Sequence, residues 1–423
     1  MTTTDFTSAE IKERINEANK KTIDIMMAGQ PVWIGDSPAI DVVPGMTKNT
    51  ILHAGPPIEW DRMCNPMRKG ILGAVVFEGL ARNLSEAKEL VESNEIVLSP
   101  CHHHSAVGGM TGITSASMPV HIVRNDTYGN VAYCLPHEGS SFKALGWGTN
   151  DDETIQQIRW MCDELSPVLN IGVKAIGGIN IKDIIGRAIQ MGDEAHSRCT
   201  AGTLLITRKL APYLVSSDIQ KDMLARVLDF IQRTDIFALH LFMAAGRSMI
   251  DPAKNIPYSS VVTTLCRNGV EFGIKVSALG DQWFTGPAGK IRTSYFSPQW
   301  NDSVAGKDIG DSAIMEVIGL GGLIHAAAPA HEHLLKGTFE SAMSKTKEAY
   351  SITVGEHNSW FLPALDFRGV PIGIDIRKVV QTGTPPLIDT ATPHIDGGFI
   401  GSGESRAPLE AFEKALREFS KTI

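Results

Sequence analysis

The sequence contains no run of five or six like charges, no C-x-x-C pair, no internal repeat, and no apolar stretch near the roughly 18 residues that a membrane span needs. Each absence removes a class of function. With 39 basic against 47 acidic residues, a net charge of −8 and no basic block, the chain argues against a nucleic-acid or anionic-membrane surface. Its six cysteines, Cys64, Cys101, Cys134, Cys162, Cys199 and Cys266, are scattered, which indicates neither a zinc knuckle nor a disulfide framework and fits a reducing compartment. The opening MTTTDFTSAEIKERINEANKK lacks the basic start and apolar centre of a signal peptide, so a soluble, cytoplasmic protein is expected. No G-x-x-x-x-G-K-[ST] occurs, and GLGGLIH from Gly319 lacks the third glycine and the ribose acid of the dinucleotide fingerprint. No cofactor and no bound metal are therefore expected.

What is present is a chain of 423 residues, 43% hydrophobic, long enough for two or three packed units. Thr7-Ser8-Ala9-Glu10 is a capping box, and a helix follows to about Met27 with Ile11, Ile15, Ala18 and Ile25 near its apolar face. LHAGPP is a strand end entering a turn that presents His53. Residues 66–82 form a buried helix carrying Arg68 and Glu78, and residues 85–93 an amphipathic one before the strand EIVLS. PVHIVRN and NVAYCL pair as strands. From Asp151 to about Met249 helical periodicity dominates, with stripes at Ile155, Ile158, Cys162, Leu165, Leu169 and at Ile181, Ile184, Ile185, Ala188, Ile189. Strands return after Pro252, where SSVVTTLC and VEFGIKVS flank the turn Arg267-Asn268-Gly269. Residues 312–328 and 338–353 are predicted helices, PIGIDI a strand and PLEAFEKALREFS a closing helix. The expected architecture is α+β: a first mixed α/β lobe over 1–150, a helical subdomain over 151–255 and a second α/β lobe over 256–423.

The chemistry concentrates in PCHHHSAVGGMTGITSASMP, Pro100 to Pro119, which is too polar for core and too specific for a linker. Its imidazoles can move protons near neutrality, and the GGMTG amides can approach an oxyanion or phosphate. Two other readings stay open: a metal site built on Cys101 to His104, and a buried structural loop whose histidines bond to carbonyls. Cys101 is also weighed as a nucleophile, although sequence neighbours seldom form a catalytic dyad. MGDEAHSR offers Glu194, His196 and Arg198, or merely a solvated helix end with a Glu194–Arg198 pair. Arg267 is free to grip an anion if Asn-Gly alone makes the turn. Asp311-Ser312 has the form of a helix cap.

LHAGPP, PMRKG, FEGLA, PCHHHSAVGGMTGITSASMP, MGDEAHSR, RNGVEFGIKVSALGDQWFTGP, GDSAI and GIDIRKVVQTGTPPLID, in this order, resemble the YlbE-like family, typified by the AllG subunit of oxamate carbamoyltransferase. The family pattern reads closer to CHH-x-x-AVGPMGG, from which His104, Gly109 and Thr111 depart. The resemblance implies a carbamoyl transfer that interconverts oxalurate plus phosphate and oxamate plus carbamoyl phosphate in anaerobic allantoin and purine catabolism. It also implies an oligomeric complex with FdrA-like and YlbF-like subunits. Such chemistry needs cationic grips for two anions, donors for an oxyanion and an acid for the leaving nitrogen. Arg198, Arg267 and Arg377 are the candidate grips, His102 or His103 the acid, and the Gly108–Gly112 amides with Asn268 the oxyanion donors. Cys101, His53, Thr111, Thr114, Glu194 and His196 complete the candidate site for a small ureido acid and phosphate. The competing readings are a metal-assisted amidohydrolase on a related ureido or cyclic amide substrate and a non-catalytic scaffold subunit.

Overall fold

The computed structural model describes residues 8–139 and 142–423, and its fold is α+β, with helices packed on several mixed and antiparallel sheets. No helix among the described residues is long and apolar enough to cross a membrane. Ala238–Ile250 lies at the centre, and all thirteen of its residues are buried. A helix buried on every side, with His240, Arg247 and Ser248 its only strongly polar residues, is an interior one. On one side it packs against the strands Pro119–Asn125 and Pro31–Pro38, and on another against the short helix Ile314–Val317.

Those two strands pair antiparallel inside a five-stranded sheet that runs Ala106–Val107, Val131–Cys134, Pro119–Asn125, Pro31–Pro38, Ile179–Asn180. The last strand comes from the helical middle of the chain, and one hydrophobic core runs through all three sequence segments. A smaller sheet, Val97–Pro100, Thr50–His53, Thr114–Ser115, carries the loops of interest at its strand ends. In the C-terminal part, Phe284–Pro287, Glu271–Val276, Val262–Asn268 and Ile309–Gly310 form one sheet, and Arg292–Tyr295, Phe399–Arg406 and Leu387–Pro393 another. The N-terminal helix Ala9–Ala28 begins at Ser8, whose hydroxyl accepts from the Ile11 amide; Thr7 lies outside the described residues. Asn19 on that helix bonds Ser260 at 2.9 Å and Asp375 at 3.3 Å, tying the start of the chain to its far end.

Three local expectations change. The turn of the Val262/Glu271 hairpin centres on Gly269 and Val270, one residue later than Asn-Gly, because the Asn268 side chain accepts from the Val270 and Glu271 amides instead. Residues 312–328 are not one helix: Ile314–Val317 ends at Gly319, where φ is +92° and the Pro371 carbonyl leaves no space for a Cβ. Two 3₁₀ turns, Gly321–Leu323 and His325–Ala327, follow.

Asp311 is not a helix cap either. It is fully buried and accepts from the Gly55 amide at 2.8 Å and the Gly108 amide at 2.9 Å, joining two N-terminal loops to the C-terminal sheet. Asp311→Ala leaves two buried N–H groups without partners, at about 1–3 kcal/mol each. Chemical denaturation should therefore show a loss of about 2–6 kcal/mol; a change below about 0.5 kcal/mol would mean that other acceptors replace the carboxylate.

Candidate functional site

Five segments converge on a cavity of about 340 Å³ between the helical middle and the C-terminal sheets. The Gly109–Met110 loop forms one wall, and His196, Ser197, Arg198 and Thr200 another. His137 and Trp147 come from the segment after Val131–Cys134, Leu239 and His240 from the central helix, and His331 from the helix Pro329–Leu334. A cleft of this size with a few convergent polar groups is the usual form of a small-ligand site.

The imidazoles are individually oriented. His196 Nδ1 donates to the Glu316 carboxylate at 2.8 Å, which fixes the ring and leaves Nε2 as its free nitrogen. His240 Nδ1 donates to the Leu135 carbonyl at 2.7 Å, and its Nε2 lies where any side chain at position 109 would collide with it. Gly109 is thus required by close approach. Burial holds His240 down to about 4 and His137 well below its ordinary value, so both are neutral at pH 7. His331 goes the other way: against the effect of burial, Asp389 and Glu194 raise it. Arg198, with its side chain 40% exposed and its Nε on the Gly192 carbonyl, supplies fixed positive charge at the cavity wall.

Behind this wall is a chain of buried carboxylates and imidazoles. His325 Nδ1 bonds Glu332 at 2.5 Å and its Nε2 bonds Asp389 at 2.8 Å. Asp389 and Glu332 raise His325 to about 10 in spite of burial, and the imidazoles hold Asp389 well below the usual carboxylate range. Lys345 bridges Glu332 at 2.7 Å and Glu404 at 2.6 Å. Glu194 accepts from the His196 and Arg198 amides, and burial together with the Asp389 charge pushes it up to about 8.

Of the residues proposed from sequence, Gly109, His196 and Arg198 line the cavity, and Glu194 holds the loop that presents the last two. The others are placed elsewhere. Cys101 is buried, its thiol on the Gly112 carbonyl and burial pushing its pKa well above the ordinary value, so it is no thiolate. His102 is buried between Arg247, which donates to Nδ1 at 3.1 Å, and Asp311, 3.3 Å from Nε2. Burial lowers its pKa. His103 faces outward, accepts from Trp283 Nε1 at 3.1 Å and is lowered to about 4, by partial burial first and the Lys275 charge second. His104 bonds Pro44 and Ser99. His53 is buried on the Ala54 carbonyl.

The amides of Gly108, Thr111 and Gly112 are spent on Asp311, Gly146 and Gly109, and the Thr111 and Thr114 hydroxyls on carbonyls. Arg267 is not a free anion grip: fully buried, it bonds Asp308 at 2.8 Å, the Gly310 carbonyl at 2.8 Å and Thr390 at 2.9 Å. Asn268 donates to the Pro56 carbonyl rather than to an oxyanion. Arg377 pairs with Asp375 at 2.7 Å, beside the N-terminal helix and away from the cavity. His137, His240, Glu316, His325, His331 and Asp389 were not singled out from sequence. Their partners are mostly distant along the chain, so no local motif marks them.

Fold and cavity together define an α+β protein with an imidazole- and guanidinium-lined cavity of small-molecule size. A family model described as "Oxamate carbamoyltransferase subunit AllG" matches residues 96–312, about half of the chain. The chain belongs to this family. It is 38% identical to the oxamate carbamoyltransferase subunit AllG of Escherichia coli K12, over 97% of this chain and 98% of that one. It is 44% identical to the uncharacterized protein YahG of the same organism, over 96% of this chain and 86% of that one. A crystal structure of a conserved protein of unknown function from Enterococcus faecalis V583 matches with a TM-score of 0.95 and 41% identity, covering 98% of this chain and 99% of that one.

Glu138 shapes the cavity wall next to Trp147 by accepting from the Leu145 and Gly146 amides at 2.8 and 2.7 Å. Burial raises its pKa from 4.5 to about 7. Between these values the native state holds a proton that the unfolded state has released, so this group's contribution falls as pH rises through the window. Glu138→Gln removes the dependence. The stability of the variant relative to the native protein, from urea midpoints, should be higher at pH 7.5 than at pH 5; an equal difference at both values would contradict the assignment.

Proposed function

We propose that this chain is the ureido-acid-binding subunit of a carbamoyltransferase of the oxamate type, acting on oxalurate and phosphate. The observation that carries the reading is the meeting, on one cavity, of an imidazole steered by a carboxylate (His196–Glu316) and a fixed guanidinium (Arg198). Family membership supplies the reaction class.

In this reading Arg198 anchors the substrate carboxylate, and neutral His137 and His240 pack the polar ureido group. A phosphate oxygen forms a bond to the ureido carbonyl carbon while the bond from that carbon to the oxamate nitrogen breaks. As hydrogenphosphate attacks, its proton passes to the free Nε2 of His196 and from there to the departing nitrogen, with Nδ1–H held by Glu316 throughout. The products are oxamate and carbamoyl phosphate.

The phosphate grip is the incomplete part. Most GGMTG amides are engaged internally and Arg267 is sealed in the core, so we assign much of that grip to a partner. The FdrA-like and YlbF-like subunits are the partners proposed, in a soluble cytoplasmic complex. Enclosing carbamoyl phosphate between subunits also keeps water from it.

Two outcomes follow in a reconstituted complex. Arg198→Ala should raise KM for the ureido acid about 10- to 100-fold with kcat nearly unchanged, as expected for lost uniform binding. His196→Ala should lower kcat by about 10²–10⁴-fold. Phosphorolysis assayed with each subunit alone and with all mixed should need the mixture; full turnover by this chain alone would refute the shared phosphate site. Release of oxamate that proceeds equally without phosphate would favour the amidohydrolase reading.

A further inference from the structure

His331, which lines the cavity, and Asp389 behind it each carry a buried polar atom without a hydrogen-bond partner, His331 Nε2 and Asp389 Oδ2, on residues that are 4% and 0% exposed. They belong to one cluster. A ligand nitrogen from each of His325 and His331 and an oxygen of Asp389 all lie within 4.8 Å of one another. His325 Nε2 is 2.8 Å and His331 Nε2 3.8 Å from Asp389 Oδ1. Donors around a tetrahedral zinc stand roughly 3.3 Å apart, given metal–ligand bonds of about 2.0–2.2 Å. The 2.8 and 3.8 Å separations bracket that spacing.

The surroundings have the form that metal sites require. His325 Nδ1 is held by Glu332 and its Nε2 faces Asp389, so an ion would take the place of the proton that Nε2 shares with Asp389; Glu332 is itself held by Lys345 and the Ser341 hydroxyl. This carboxylate–imidazole arrangement is the usual orienting shell of a metal-bound histidine. Glu332, Asp389 and Glu404 are buried together around His325 and Lys345, and Arg292 pairs with Glu404. We propose that His325, His331 and Asp389 form a binding site for a divalent transition-metal ion of the zinc class, with its remaining coordination position facing the cavity that His331 lines.

Two histidine-containing clusters elsewhere do not qualify. Between Glu332 and Glu404 the place of a cation is taken by the Lys345 ammonium. At His102, Cys266 and Asp311, both Asp311 oxygens are occupied by backbone amides and Arg247 opposes a second positive charge. The three chosen ligands leave one position open, the pattern of catalytic rather than structural zinc. An ion there polarises a carbonyl oxygen entering from the cavity. The site does not depend on the transferase reading, because a carbonyl so held can be attacked by a phosphate oxygen or by water.

The test uses the full-length protein, stripped with a chelator and titrated with Zn²⁺ against a chromogenic competitor, and with Co²⁺ followed by its visible absorption. One equivalent per chain is expected. His331→Ala and Asp389→Asn should abolish binding, and Glu332→Gln should weaken it by about 10- to 100-fold. Cys266→Ser should bind like the unaltered protein. Circular dichroism reports folding of each variant; should Asp389→Asn fail to fold, His331→Ala, at the cavity wall, decides alone. The proposal fails if the unaltered chain takes up no stoichiometric metal, if His331→Ala still binds one equivalent, or if Cys266→Ser removes the binding.

Discussion

The carboxylate of Asp311 is the joint on which the rest of the molecule depends. A fully buried carboxylate is costly unless its charge is met by donors. Here they are the amides of Gly55 and Gly108, one from each N-terminal loop, with the His102 ring 3.3 Å away and Arg247 on the far side of that ring. This arrangement fixes where the Gly108–Gly112 loop leaves the sheet and so where Gly109 and Met110 meet the cavity. A histidine that looks most chemical in the sequence is here a buried ring wedged between Arg247 and Asp311.

Orientation of imidazoles by acidic or carbonyl oxygens recurs around the cavity. Glu316 turns His196, Glu332 turns His325, and the Leu135 carbonyl turns His240. Each bond leaves one nitrogen of known position. Burial then separates their charges: His137 and His240 are kept neutral, whereas Asp389 favours the protonated form of His331. One cavity thus holds imidazoles whose charged form is disfavoured beside one whose charged form is favoured, and the difference arises from the partners of each ring.

Helices and strands were legible wherever periodicity was strong. Ala9–Ala28, Leu84–Glu92, Phe339–Ile352 and Leu409–Phe419 lie where apolar spacing and caps put them, and the Val262/Glu271 hairpin is displaced by a single residue. The 312–328 stretch failed because its glycines act through φ values that periodicity does not weigh. The cavity was legible only in part. MGDEAHSR announced itself by packing polar residues into a short span, whereas His240 sits in an otherwise apolar helix and Asp389 in a strand. Asp389 meets His325 across 64 residues of sequence, and nothing in a single chain marks that pairing. For Arg267 the error had the same origin: a hairpin position suggests exposure, and only the fold brings Asp308 and Thr390 around it.

The Asn19 tie has a consequence for synthesis. Its partners Ser260 and Asp375 lie 241 and 356 residues further along the chain. At about 5–20 residues per second, a ribosome needs roughly 20–70 s to produce the second of them. Throughout that interval the face of the first helix that bears Ile15, Ile23 and Met26 has no native surface in the C-terminal part to cover it. The first helix thus waits on residues far along the chain before its ties to Ser260 and Asp375 can form.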